Sequence, residues 1–282
     1  MTDIWPVYSG KSFAIWNPDT KTYYDSVDAD SIMQHLQNKR LSQRNTKTSA
    51  FAEQDQSLTD DLSTLPCLHP RIAFKNVVSA DNARTVVVAL IPPCRVITHA
   101  APYLLRIRGN LQDEAFLLGI LTSMICDWQA RRTVQLNLTF AHFNSLRVPD
   151  PGPNNPIRKR VVEIAGRLAA VDERFAEWAQ EVGVEVGTAN EDSVKTELIH
   201  ELDACVALLY GLDDDDLECI YTTFHEREPE RYRDRLNDVL KYCRKWRERH
   251  PDAVYQHNDL SDSHEPATTG ATFDNSDKDN EL

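Results

Sequence analysis

Four short stretches combine residue types that could do chemistry. The first is Ile91-Pro92-Pro93-Cys94. A Pro-Pro tetrapeptide can hold a flipped base for amino-group methylation if its first side chain accepts a hydrogen bond and its last stacks on the ring. Ile91 has no acceptor and Cys94 no ring, so a strand-terminating turn is expected instead. Asp19-Thr20-Lys21 offers an Asp-x-Lys without the upstream acid that would complete a metal site. Asp213 to Asp216 lacks the alternate acids, central glycine and closing glutamate of a calcium loop, and suits the first turn of a helix. His225 and Glu226 are adjacent rather than spaced for zinc. The nine histidines show no ligand spacing. Neither a catalytic residue nor a metal ligand is assigned, and catalysis by this chain alone is not expected.

Cysteine and glycine usage narrows the classes further. Cys67, Cys94, Cys126, Cys205, Cys219 and Cys243 are far apart, as reduced cysteines of a cytoplasmic protein would be. No nucleotide-binding glycine motif occurs among the nine glycines. Neither a signal peptide nor a membrane-spanning apolar run is read.

The formal charge is −13 over 282 residues, which argues against a polybasic nucleic-acid coat. The charge is segregated, however. Residues 71–147 hold nine bases against four acids, and residues 231–250 eight against three; each segment carries +5. Residues 251–282 carry −7. Eight of the nine central bases are arginine, whose fork can bind guanine edges and phosphates bidentately. A basic block within an acidic chain is compatible with selective DNA reading.

The elements that would position these groups are of mixed type. Residues 1–38 are rich in aromatics, with Ser12–Trp16 expected as a strand. Residues 39–66 are polar and aperiodic and are expected as a loop or linker. Residues 67–152 hold strand candidates at 83–91, 103–109 and 134–140, and a helix from Leu111 to about Arg131 capped by Asn110. Residues 153–250 are expected as a helical arm. Ile157, Val161, Ile164, Leu168, Val171, Phe175 and Trp178 form one seam. Val194, Leu198, Leu202, Cys205 and Leu209 form a second, which together suggest a helical hairpin followed by short C-terminal helices. Residues 251–282 are expected as an acidic disordered tail. The fold class is α+β.

Four stretches resemble one family in order. Val7-Tyr8-Ser9-Gly10-Lys11 is similar to a "Y-x-G-K" element that follows the catalytic domain of adenine-specific DNA methyltransferases of type IIG and related restriction–modification or phage-defence systems. Arg71-Ile72-Ala73, Asn82-Ala83-Arg84-Thr85 and Ala89 to Pro93 resemble the "R-x-x…N-x-R-T-x-x-x-A-x-I-P" core of their target recognition domain. Leu121 to Arg131 resembles "L-N-S-x-x-x-D-x-x-x-R", with Thr122 in place of Asn, and leads to an "L-x-x-L-x-V-P" ending. Leu209 to Phe224 resembles the "Y-G-L-x-x-x-E/D-L-x-x-I-x-x-x-F" helical C-terminus.

The resemblance implies a small mixed α/β recognition domain that binds double-stranded DNA. It also implies a separately encoded methyltransferase catalytic chain, since the family's cofactor and catalytic motifs are missing and the chain starts just before the first shared element. S-adenosylmethionine is expected in that partner and no cofactor in this chain. Asn82, Arg84, Arg131, Arg132 and Asn137 are the expected base-side contacts, and Arg71, Lys75 and Arg95 the phosphate contacts. For Arg84 a loop-pinning role is an equal alternative. The alternative for the whole chain is a truncated, catalytically dead fragment that acts only as a protein-interaction module.

Overall fold

A computed structural model describes residues 3–78, 82–225 and 227–254. Strand β1 (Ile4–Tyr8) lies between β2 (Asp25–Asp28) and a later strand, β5 (Val96–Ile97). Helix α1 (Ala29–Gln43) follows β2 directly, capped by Asp28 accepting from the Ser31 N–H. A short helix, α2 (Gln56–Asp60), and three helical turns lead to β3 (Arg71–Phe74). Strands β4 (Val88–Ile91) and β5 (Val96–Ile97) complete two small sheets. In one, β1 runs antiparallel to β2 and parallel to β5; in the other, β3 pairs antiparallel with β4, Arg71 opposite Ile91.

The period of two sorts β3 and β4 between two cores. Ile72, Phe74, Val88 and Leu90 face the large core, while Ala73, Ala89 and Ile91 pack with Tyr8, Phe13 and Ala101 in a small one between the sheets.

The remaining helices are α3 (Leu111–Thr122), α4 (Met124–Arg131), α5 (Phe140–Ser145), α6 (Pro156–Ala169), α7 (Ala176–Val182), α8 (Asp192–Leu209), α9 (Asp214–Thr223) and α10 (Arg233–Arg249). Helix α3 packs against β4 and α6, α6 against α8, and α8 against α10, so one apolar core runs from Trp16 to Cys243. At Gly119 an added Cβ would lie 2.7 Å from Val161 Cγ1, which marks the close approach of α3 and α6. Buried Asp203 of α8 accepts from the Met124 N–H (3.0 Å), the Tyr221 hydroxyl (2.6 Å) and Arg235 Nε (2.9 Å), tying α4, α9 and α10 to one carboxylate.

Mixed helices and small sheets make this an α+β fold. Several local expectations change. The helix expected over Leu111–Arg131 breaks at Ser123, whose hydroxyl donates to the Ile120 carbonyl and accepts from the Cys126 N–H, capping both halves. Ser12–Trp16 is a tight turn, with Ala14 and Asn17 bridged and Trp16 at φ 54°. Helices occupy much of 39–66. They are held by polar contacts rather than an apolar stripe: Gln37 Nε2 donates to the Thr59 carbonyl, and Arg40 to Gln37, Asp61 and Thr64. The seam expected over 156–178 is split into α6 and α7 at Ala170–Asp172. The helices of 153–250, expected as an arm, lie packed on α3 and share its core. Residues 251–253 form a helical turn, with the Ala253 carbonyl accepting from Asn155; residues 255–282 of the expected tail lie outside the described residues. Among the described residues, no helix is long and apolar enough to cross a membrane.

Candidate nucleic-acid interface

Two segments that leave the core side by side carry several of the expected contact residues. Beyond β3 the chain continues through 75–78, and beyond α4 through 132–139. Val77 bridges Asn137, the Val78 N–H donates to the Leu136 carbonyl (3.1 Å), and the Leu138 N–H donates to the Asn76 carbonyl (2.8 Å). Val78, Val134 and Leu138 are buried in the core, which fixes which side faces out. Val77 and Leu136 are each 71% exposed, and Asn137 is exposed with them. Only this short ribbon forms where strands were expected over 134–140.

Lys75 stands at the base of the ribbon, half-buried, its ammonium 5.9 Å from the Phe13 ring centroid. Burial pulls its pKa down. Asn82 is exposed on the neighbouring loop, and Arg132 is exposed at the end of α4 with its guanidinium 4.1 Å from the Trp128 ring centroid. Lys75, Asn82, Arg132 and Asn137 are therefore the expected residues that reach the surface in this region.

Arg84 and Arg131 point inward. Arg84 Nε donates to Asp127 Oδ2, and Nη2 to the carbonyls of Thr122 (2.7 Å) and Ser123 (2.9 Å). Asp127 is fully buried and also accepts from the backbone N–H groups of Thr85 (3.0 Å) and Val86 (3.3 Å). Arg131 Nε lies 3.9 Å from the same carboxylate; its Nη2 donates to the Asn82 carbonyl and Nη1 to the Phe224 carbonyl (3.2 Å), with the guanidinium 4.3 Å from the Phe224 ring centroid. Arg84, Asp127 and Arg131, all within the stretches that carry the sequence resemblance, thus meet in one ion cluster. That cluster pins the 82–86 loop to the α3–α4 junction.

The C-terminal helices close over this loop. The Tyr232 hydroxyl donates to the Ala83 carbonyl (3.4 Å), and the Tyr232 ring meets Phe224 edge-on at 5.4 Å and stacks on His225 at 5.7 Å. Burial, then the charges of Arg131 and Arg231, lower the His225 pKa. Sequence reasoning missed Asp127, Phe224 and Tyr232 as parts of this site. The one available signal was Asp127, a lone acid between apolar residues on a helix, where a charge demands a partner.

Arg71 and Arg95 lie apart from this surface. Arg71 is 5% exposed; its guanidinium donates to the carbonyls of Pro66 (3.0 Å), His69 (3.3 Å) and Arg95 (2.7 Å) and sits 5.1 Å from the Tyr103 ring centroid. Arg95 donates to the Cys94 carbonyl (2.9 Å) and lies by the Tyr8 hydroxyl (3.4 Å). Arg71 and Arg95 therefore face away from the surface that Lys75 and Arg132 share. The Pro-Pro stretch is a turn: Ile91 ends β4 fully buried and Cys94 takes φ 59°.

Among the described residues, no group of three His, Cys, Asp or Glu side chains is placed to hold a metal ion. Comparison with protein-family models, characterised proteins and solved structures finds no match.

Proposed function

We propose that this chain is the DNA sequence-recognition part of an adenine-specific DNA methyltransferase or related defence system, and that it docks a separate catalytic chain which carries S-adenosylmethionine. The observation that carries this reading is the outward ribbon of 76–78 and 136–138. A two-stranded ribbon fits the major groove, and amide side chains such as Asn82 and Asn137 can bind adenine edges bidentately. Lys75 and Arg132, flanking it, are the cations for phosphates.

Selection from a pool of random duplexes tests this. The chain enriches a short sequence. Asn82→Ala with Asn137→Ala abolishes the preference but keeps the salt dependence. Lys75→Ala with Arg132→Ala reduces the slope of log K against log salt by about 2, one phosphate per cation. Absence of any enriched sequence refutes the reading. Saturable S-adenosylmethionine binding by the isolated chain, seen in calorimetry, refutes the division of labour.

One observation favours the interaction-only alternative. Val77 and Leu136 on the same two segments, and Phe140 at the start of α5, are exposed apolar residues, while Arg71, Arg84 and Arg131 direct donors into the fold. Capture of the catalytic chain with no sequence enriched would select that alternative.

A further inference from the structure

A part-open cavity of about 290 Å³ lies between α1, the 65–71 segment and β5. Three cationic side chains line it: Lys39, Arg40 and Arg71. Among the described residues, no aspartate or glutamate lines it. Its other wall is apolar, with Leu36, Phe51 and Ile97 among the contributors.

The two arginines are unusual for their depth. Arg40 is 2% exposed and Arg71 5% exposed. Arg40 is held by neutral acceptors: Gln37 Oε1 (3.0 Å), Thr64 Oγ1 (2.9 Å) and the Asp61 carbonyl (2.7 Å). Arg71 is held by three backbone carbonyls, and its buried Nε has no hydrogen-bond partner. Elsewhere in the fold Arg84, Arg160 and Arg235 face a carboxylate at ion-pair distance, Asp127, Glu201 and Asp203 in turn. Carbonyls satisfy donors but leave the positive charge in place, and an uncompensated buried charge is costly. Burial pulls Arg71 down to about 10, with Tyr103, Cys67 and Cys94 as its charge neighbours; it stays protonated at neutral pH.

We propose that this cavity binds a small organic anion, a carboxylate or phosphate monoester carried on an apolar or aromatic body. The anion supplies the counter-charge that Arg71 lacks, with Arg40, whose nearest acids are Asp61 and Asp60, beside it and Lys39 at the mouth, and the body rests on the apolar wall. The site stands on these residues alone and does not depend on DNA reading.

Calorimetric titration of the full chain with phenyl phosphate, benzoate and neutral benzyl alcohol tests the proposal. One of the two anions binds saturably at one per chain, and which one does so separates phosphate from carboxylate recognition. Gln43 lines the cavity at the end of α1, so Gln43→Glu places an acid there without changing its size. This variant stays folded and binds at least tenfold more weakly, because its carboxylate repels the anion. Lys39→Ala, at an exposed position, weakens binding about threefold. Three outcomes overturn the proposal: no saturable heat with either anion at millimolar concentration, equal affinity in Gln43→Glu, or benzyl alcohol binding as tightly as the anions.

Discussion

Replacing Arg84 with methionine separates a structural pin from a DNA contact. Methionine keeps the apolar stem but removes every N–H. The bond from Nε to Asp127 is lost, as are those from Nη2 to the Thr122 and Ser123 carbonyls at 2.7 and 2.9 Å. Asp127 remains fully buried, with the N–H groups of Thr85 and Val86 and the Arg131 guanidinium still beside it. Stranding one member of a buried ion pair costs about 3–5 kcal/mol. The remaining partners place Arg84→Met at the low end, about 3 kcal/mol. For a chain of this length that lowers Tm by roughly 6–12 °C. Urea titration and scanning calorimetry measure the loss, and anisotropy with labelled duplex, taken where the variant is folded, measures DNA affinity. Asp127→Asn strands Arg84 in the same way, so the double variant should lose at least about 1 kcal/mol less than the sum of the singles. A Tm within 2 °C of the parent, together with lost DNA binding, would refute the pin.

Three further outcomes are expected. Gly119→Val drives a side chain into Val161, already 2.7 Å from an added Cβ, and destabilises by about 1–3 kcal/mol in urea titration, while retained stability would show that α3 and α6 can part. Burial pushes the Asp19 carboxyl up, but hydrogen bonds from Arg174 (2.8 Å), Lys21 and Tyr23 outweigh it and hold it well below the usual carboxylate range. Its stabilisation is present above the unfolded-state pKa of about 3.9 and is lost as pH falls below that, so Asp19→Asn is less stable at pH 7 and flatter in Tm between pH 7 and pH 3; parallel profiles would contradict the assignment. Cys219 is exposed, whereas burial pushes Cys126 and Cys243 up to about 12 and Cys205 well above the ordinary thiol value. Ellman's reagent on the native protein therefore labels Cys219 first, and those three only on unfolding.

What was legible in the sequence followed apolar periodicity. The stripe from Val194 to Leu209 is α8, Asn110 caps the helix it was expected to cap, and the acids from Asp213 to Asp216 open α9, with Asp213 as its cap. The break at Ser123 was hidden because apolar residues continue on both sides of it, while the hydroxyl that ends one helix and starts the next leaves no mark in a hydropathy pattern. The helices of 39–66 were illegible for a related reason: Gln37 and Arg40 hold them from within α1 through side-chain-to-carbonyl bonds. At the candidate interface, residue type singled out the arginines but could not say which way they point. Arg131 and Arg132 are adjacent, yet one lies over Phe224 and the other over Trp128. Helical geometry turns successive residues by about 100°, so neighbours with one chemistry take opposite roles.

The bond from Tyr232 to the Ala83 carbonyl, and the lodging of Arg131 on Phe224, bear on how such a protein could change what it reads. A block that recombination exchanges as a cassette must end where little crosses its borders. Residues 67–152 do not: their loop is latched by a tyrosine about 150 positions downstream, and α3 packs on α6 and α8. A transplanted 67–152 would arrive without its latch and with an apolar helix face uncovered. On the proposed DNA-reading role, new specificity would be reached residue by residue along the exposed ribbon, where Val77, Leu136 and Asn137 can vary without disturbing what holds the loop.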